Sequence, residues 1–218
     1  MHVTEPGEYA VLGLLVEQPR HGYALSRQFA PSAELRQVVR LEMSQLYATL
    51  KKLETLGMIS AGDPASAPEH PSAPRDDAPD GDASEHAATH ARARRVYHVT
   101  DAGRATFEAW LAQPVERPRD LRLMLLLKLF FLLRRSPQDV AALLTRQERV
   151  FTDFHAALTR RLADHLAATE PSGSGGPPER FSMLVWRARL RQTESALAWI
   201  ADIRRDLGAG AYPPPDSI

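Results

Sequence analysis

The chain contains no cysteine. This absence excludes disulfides, thiolate zinc sites, iron–sulfur clusters and cysteine nucleophiles, and it fits a reducing compartment. Long apolar runs are also missing, because the longest apolar-rich stretch, residues 121–133, is interrupted by Arg122 and Lys128 and is too short for a membrane span. No basic region followed by a hydrophobic one opens the sequence, so we expect no secretory signal and a cytoplasmic protein.

Enzyme motifs are absent as well. The sequence has no phosphate-binding loop, no glycine-rich dinucleotide turn, no nucleophile elbow and no pair of carboxylates in an apolar context, so we expect neither an enzyme nor a cofactor. His86 and His90 have a spacing that can hold a metal on a helix. Their surroundings are rich in proline and alanine and supply no groups to orient metal ligands, so no metal site is expected.

The 218 residues are 44% hydrophobic and 25% charged, which is typical of a soluble protein of one or two domains. The formal net charge of zero hides an uneven distribution. Residues 62–92 carry seven acidic residues, two arginines and five prolines, so we expect a disordered acidic insertion there.

The sequence before and after this insertion predicts a small helical domain. Two short helices are predicted between residues 8 and 31, and a third over residues 42–56, where Met43, Leu46, Leu50 and Leu53 share one face. Period-two patterns at residues 58–61 and 95–99 predict two strands, after which Thr100 is placed to cap a helix over residues 101–112. Three helices and a two-stranded wing form a winged helix-turn-helix, whose third helix enters the DNA major groove.

Four segments, in this order along the chain, resemble the PadR family of bacterial transcriptional regulators: residues 10–15 (AVLGLL), 21–25 (HGYAL), 46–59 (LYATLKKLETLGMI) and 95–104 (RVYHVTDAGR). The resemblance covers residues 8–112. It implies a mainly α protein with an N-terminal winged helix-turn-helix DNA-binding domain, which we place at residues 1–113. The family's wing turn is short, so the insertion at 62–92 is a departure from its pattern.

After a linker at residues 114–118, we predict a helical dimerisation domain over residues 119–210. A long helix that starts at residues 136–139 has an apolar stripe from Val140 to Leu166. This stripe needs a partner helix, which residues 179–207 supply after a hinge at 171–178. This tail is similar to the C-terminal domain of the PadR branch that includes virulence-gene activators. The resemblance implies that it forms a homodimer.

The polar side of the third helix and the start of the second wing strand hold the candidate DNA contacts. Gln45 is suited to an adenine edge and Ala48 to a thymine methyl, while lysine, arginine and tyrosine side chains suit phosphates. The alternatives are an ordinary solvated face, a Tyr47 packed beneath the second helix, and arginines that protect an edge strand. The full candidate set is Ser44, Gln45, Tyr47, Ala48, Thr49, Lys51, Lys52, Arg94 and Arg95.

We therefore predict a homodimer that binds double-stranded DNA at a pseudo-palindromic operator, with two recognition helices about 34 Å apart. Most proteins that it resembles repress transcription, so we expect a repressor. A small aromatic effector is a candidate inducer, with Trp110, Trp186 and Trp199 as aromatic candidates, although core packing is the better explanation of these side chains. The competing interpretations are a small-molecule or metal sensor, and a helical adaptor that uses its winged helix for protein contacts.

Overall fold

A computed structural model describes residues 3–62, 95–168 and 177–208. The chain divides into two compact units, residues 1–111 and 112–218. The predicted insertion at 62–92, apart from its first residue, lies outside the described residues, as does most of the predicted hinge at 171–178. In the described part of the chain, no helix combines the length and the hydrophobicity that a membrane crossing requires.

Helix α1, Pro6–Glu17, forms the centre of the first unit. Pro6 occupies the first turn, where its missing N–H costs no hydrogen bond. The helix is apolar on nearly all sides, which is the pattern of a helix surrounded by other elements. Its fully buried side chains are Ala10, Val11, Leu12, Leu14 and Leu15.

A two-residue strand, β1 (Arg20–His21), leads into the short helix α2 (Gly22–Arg27), and a 3₁₀ turn at Glu34–Gln37 precedes helix α3 (Met43–Thr55). The row predicted for the third helix is buried at Leu46, Leu50 and Leu53. These helices confirm the predicted three-helix arrangement.

Two side chains that the sequence placed inward are exposed. Met43 shares a face with Leu50 but is 46% exposed, because it is the first residue of α3 and lies a turn before the buried row begins. Helical periodicity identifies the face of a helix and not how far along it the core extends. The HGYAL segment at residues 21–25 also predicts that Tyr23 packs inward with its hydroxyl at the rim, but this side chain is 56% exposed at the start of α2.

The wing consists of strands β2 (Ile59–Gly62) and β3 (Val96–Val99), paired antiparallel with Ser60 opposite His98. This confirms the predicted two-stranded wing. Strand β1 pairs with the other side of β3, so the sheet has three strands in the order β1-β3-β2. The sequence did not predict β1, because two residues are too few to show an alternating pattern.

Helix α4, Asp101–Ala112, follows the wing and is capped by Thr100 as predicted. The Thr100 hydroxyl oxygen accepts from the backbone N–H of Gly103 at 3.1 Å and lies 2.7 Å from the carbonyl oxygen of Gly57. Gly103 is required by close packing, because a Cβ at this position would lie 2.0 Å from the carbonyl oxygen of Met58. Thr100 and Gly103 therefore join α4 directly to the segment that follows α3.

The second unit is helical. It contains α5 (Leu121–Arg135), α6 (Asp139–Ala168) and α7 (Pro177–Gly208). Helices α6 and α7 pack antiparallel, with Arg204 paired to Glu148 at 2.7 Å and His155 beside Glu194 at 3.6 Å. The buried apolar side chains between and beneath them include Leu143, Leu144, Phe151, Leu158, Ala196 and Ile200.

Candidate nucleic-acid interface

The N-terminus of α3 is held by the residues just before it. The backbone N–H of Glu42 donates to Oε1 of Gln45 at 3.0 Å. The guanidinium of Arg36 lies 3.2 Å from the Glu42 carboxylate and also donates to the carbonyl oxygen of Phe29 at 3.2 Å. These contacts orient the first turn of α3, where a recognition helix meets base edges.

An open groove of about 640 Å³ lies between α3 and strand β3. Residues of α3 form one wall, and the start of β3 forms the other. Four of the helical residues, Met43, Tyr47, Lys51 and Glu54, follow one another at intervals of four, four and three positions. Their side chains therefore point to the same side of α3. The lining residues are Met43, Ser44, Tyr47, Ala48, Lys51, Glu54, Arg95 and Tyr97.

The structure divides the predicted DNA contacts into two groups. One group lines the groove: Ser44, Tyr47, Ala48, Lys51 and Arg95. The other residues predicted on α3 do not line it: Gln45, Thr49 and Lys52. Arg94 lies outside the described residues.

Gln45 takes part in the cap of α3. A bidentate contact to adenine needs both the oxygen and the nitrogen of a glutamine amide. Because Oε1 of Gln45 accepts from the Glu42 N–H, such a contact requires Gln45 to leave the cap.

Lys52 pairs inside the protein. Its ammonium contacts the carboxylate of Glu8 on α1 and lies 4.0 Å from that of Glu5. The Glu8 side chain is 2% exposed, and its carboxylate also accepts from the backbone N–H groups of Thr4 at 2.9 Å and Glu5 at 3.2 Å. Burial alone would raise the pKa of Glu8, but the hydrogen bonds from Lys52 and the two backbone groups offset it and the pKa is lowered. Lys52 thus joins α3 to α1, a role that the sequence did not predict.

Three groove residues were missing from the predicted set. Met43 was predicted on the apolar face of the helix, the strand pattern left open whether Val96 or Tyr97 points inward, and Glu54 was not considered. The signal for Glu54 was available, because it follows Lys51 by three positions and Tyr47 by seven, on the same side of the helix. For Tyr97 no local signal distinguishes a groove floor from a core, since its side chain is only 4% exposed.

The positive charge is not concentrated in the first unit. Residues 3–62 and 95–111 hold eight acidic and eight basic side chains, whereas residues 112–218 hold twelve acidic and sixteen basic ones. The described residues of the first unit are therefore neutral and the second unit has a net positive charge, while the wing arginines Arg92 and Arg94 lie outside the described residues. Attraction to phosphate in the first unit depends on individual cations such as Lys51 and Arg95.

Metal ligands do not cluster in this part of the molecule. In residues 3–62, 95–168 and 177–208, no three histidine or carboxylate side chains are grouped to hold a metal ion. His86 and His90 lie outside those ranges.

Three helices, a β-wing and a groove beside the third helix define the winged helix-turn-helix class of DNA-binding proteins. The model of the transcriptional regulator PadR-like family matches residues 11–72, and that of the virulence activator alpha C-terminal family matches residues 121–208. The chain thus carries the domain of the PadR-like family at residues 11–72, followed at residues 121–208 by the helical C-terminal domain of the branch that includes virulence activators. Members of this family are DNA-binding transcriptional regulators and not enzymes.

Among solved structures, the chain is similar to Bacillus subtilis PadR in complex with operator DNA, with 23% identity, 90% of this chain and 96% of that chain covered, and a TM-score of 0.35. It is similar to the same protein in complex with p-coumaric acid, with 22% identity, coverage of 94% and 99%, and a TM-score of 0.36. A third similar structure is the Vibrio cholerae virulence activator AphA, with 19% identity, coverage of 93% and 98%, and a TM-score of 0.35. Comparison with curated proteins gives no match.

Proposed function

We propose that the chain is a homodimeric repressor that binds a pseudo-palindromic operator through α3 and the wing. The groove between α3 and β3 carries this proposal, because it brings together small polar and apolar side chains with two cations. The side chains of Ser44 and Ala48 are small enough to approach base edges closely, whereas Lys51, Arg95 and the neighbouring Arg94 are suited to bind phosphates. Such a regulator acts in the cytoplasm, where the operator DNA lies.

DNA binding is tested with the full chain and duplexes selected from randomised DNA, followed by fluorescence anisotropy at several salt concentrations. We expect affinity to fall steeply with salt. Lys51→Ala should weaken binding to selected and unrelated duplexes alike and reduce the salt slope by about one phosphate contact per protomer. Arg104→Ala, which removes an exposed cation from α4 outside the groove, is the matched control and should weaken binding less than Lys51→Ala does. Failure to enrich any duplex at low salt would refute the proposal.

The homodimer is supported by an exposed apolar surface at one end of the α6–α7 pair. Three large side chains there are mostly exposed: Leu166 (54%), Phe181 (67%) and Leu184 (64%). None of the α7 residues from 180 to 192 is buried. Exposed apolar side chains clustered in this way are typical of a protein–protein interface, and a second copy covers them in our proposal.

Analytical ultracentrifugation tests the homodimer. We expect a dimer at micromolar concentration and a monomer for Phe181→Glu combined with Leu184→Glu. Ser195→Glu, which adds charge at an exposed position of the same helix outside residues 180–192, is the control and should remain dimeric. The double variant should also lose affinity for a palindromic duplex more than for a single half-site, since two linked recognition helices bind together. A monomeric unmodified chain would contradict the proposal.

Repression is tested with a reporter gene placed downstream of a selected duplex. Expression of the unmodified chain should lower reporter output, and Lys51→Ala should restore it. Activation of the reporter would contradict the repressor assignment and leave DNA binding intact.

We also propose a small aromatic effector. Trp186 is half-buried in the second unit with the guanidinium of Arg189 5.8 Å from its ring centre, whereas Trp110 stacks on Tyr9 at 4.2 Å within the first unit. Trp186 and Trp199, which is also half-buried, are therefore the aromatic candidates that the second unit offers to a ligand. The probe is p-coumaric acid, the compound bound in one Bacillus subtilis PadR structure. Its titration should change tryptophan fluorescence saturably and weaken DNA binding, and an unchanged DNA affinity would overturn this assignment.

A further inference from the structure

Met43 is an unusual groove residue because it is large, apolar and 46% exposed. In the described part of the first unit, Tyr23 is the other large hydrophobic side chain with comparable exposure. Burying the Met43 side chain against a partner therefore gains hydrophobic free energy, and its unbranched thioether adapts to the surface that it meets.

The lining of the groove changes along α3. The groove residues in the N-terminal half of the helix are uncharged: Met43, Ser44, Tyr47 and Ala48. The charged residues Lys51 and Glu54 lie in its C-terminal half. In recognition helices the N-terminal residues are those that contact base edges.

The major groove of DNA presents one apolar group that varies with sequence, the C5-methyl of thymine. An exposed methionine beside an alanine in the same groove matches this group better than it matches any hydrogen-bonding edge. We infer that Met43, together with Ala48, selects T·A base pairs by contacting the thymine methyl, an inference that rests on the proposed DNA-binding function. Met43 is then a specificity-determining residue, distinct from the cations that supply affinity.

The test uses the full chain and one duplex, selected from randomised DNA and synthesised in two forms, with thymine or with deoxyuridine in its half-sites. Deoxyuridine keeps every hydrogen-bonding group and lacks only the methyl. We expect the deoxyuridine form to bind roughly fourfold more weakly per half-site, the value for one buried methyl-sized group. Met43→Ala should bind both forms with similar affinity, while Glu108→Gln, on α4 and outside the groove, should keep the preference of the unmodified chain. Circular dichroism checks that both variants fold.

The outcomes separate this inference from the proposed function. If the selected duplex binds but its two forms bind equally well, methyl recognition is wrong and DNA binding stands. If Met43→Ala keeps the full preference for thymine, Met43 is not the residue that recognises the methyl group. If selection enriches no duplex, the proposed function fails and the inference fails with it.

Discussion

The carboxylate of Glu8, on α1, is paired with the ammonium of Lys52, on α3. One partner is almost completely buried and the other reaches it from the edge of the recognition helix. A buried carboxylate is costly unless hydrogen bonds and opposite charge surround it, and here two backbone N–H groups complete its surroundings. The pair therefore sets where α3 lies on α1.

Glu8→Gln should destabilise the first unit by about 2 kcal/mol, because the neutral amide loses the ion pair and matches the two backbone donors less well. Glu5→Gln is the control, because the Glu5 side chain is 72% exposed and its carboxylate lies 4.0 Å from the same ammonium, at the outer limit of an ion pair. Its effect on the free energy of unfolding should stay within about 0.5 kcal/mol. Urea denaturation monitored by circular dichroism measures both. Equal effects of the two substitutions on the free energy of unfolding would show that the buried pair stabilises the first unit no more than an exposed contact does.

The contribution of Glu8 should depend on pH in the acid range. Its pKa is lowered from the ordinary value of 4.5, so the unfolded chain binds the proton more readily than the folded chain. The stability that Glu8 supplies is thus fully present above pH 4.5 and is lost as the pH falls through the lower folded-state pKa. The difference in unfolding free energy between the unmodified chain and Glu8→Gln should be constant from about pH 5 to about pH 7 and narrow below about pH 4. A difference that widens on acidification would contradict this.

Gly103→Ala should be severely destabilising, by about 3 kcal/mol or more, because the new Cβ meets a backbone oxygen that cannot turn aside. Gly57→Ala provides the comparison. Gly57 has a φ of +69°, and no heavy atom lies within 4 Å of the position that an alanine Cβ would occupy. The substitution therefore costs only the strain of a left-handed backbone. That strain is worth about 1 kcal/mol. Thermal denaturation should rank the two variants in this order, and the opposite order would refute the packing argument.

Gln147→Leu should destabilise the second unit by about 2 to 4 kcal/mol, because leucine leaves two buried backbone groups without their hydrogen bonds. The buried amide of Gln147 accepts from the backbone N–H of Val115 at 2.7 Å and donates to its carbonyl oxygen at 2.8 Å. Gln192→Leu, at an exposed position on α7, is the control and should change stability little. Chemical denaturation measures both variants, and similar midpoints for the two would contradict the expectation.

Glu54→Gln should strengthen DNA binding, by about two- to tenfold at low salt, because a carboxylate in the groove repels nearby phosphates. The gain should shrink as salt is added. Glu108→Gln, on α4 and outside the groove, removes the same charge and should change affinity less. A weaker complex with Glu54→Gln would show instead that the carboxylate accepts a hydrogen bond from a base.

The helices, the wing pair and the Thr100 cap could all be predicted from the amino-acid sequence. These features depend on local spacing and on side chains that bond to nearby backbone, so the pattern around Leu46, Leu50 and Leu53 was sufficient. Three features required the folded chain: which face of α3 borders the wing, the place of Met43 in the groove, and the contact of Lys52 with Glu8. The reason is physical: an ion pair, a groove wall and the end of a core are formed by residues far apart in the chain, and periodicity along one helix carries no information about what packs against it.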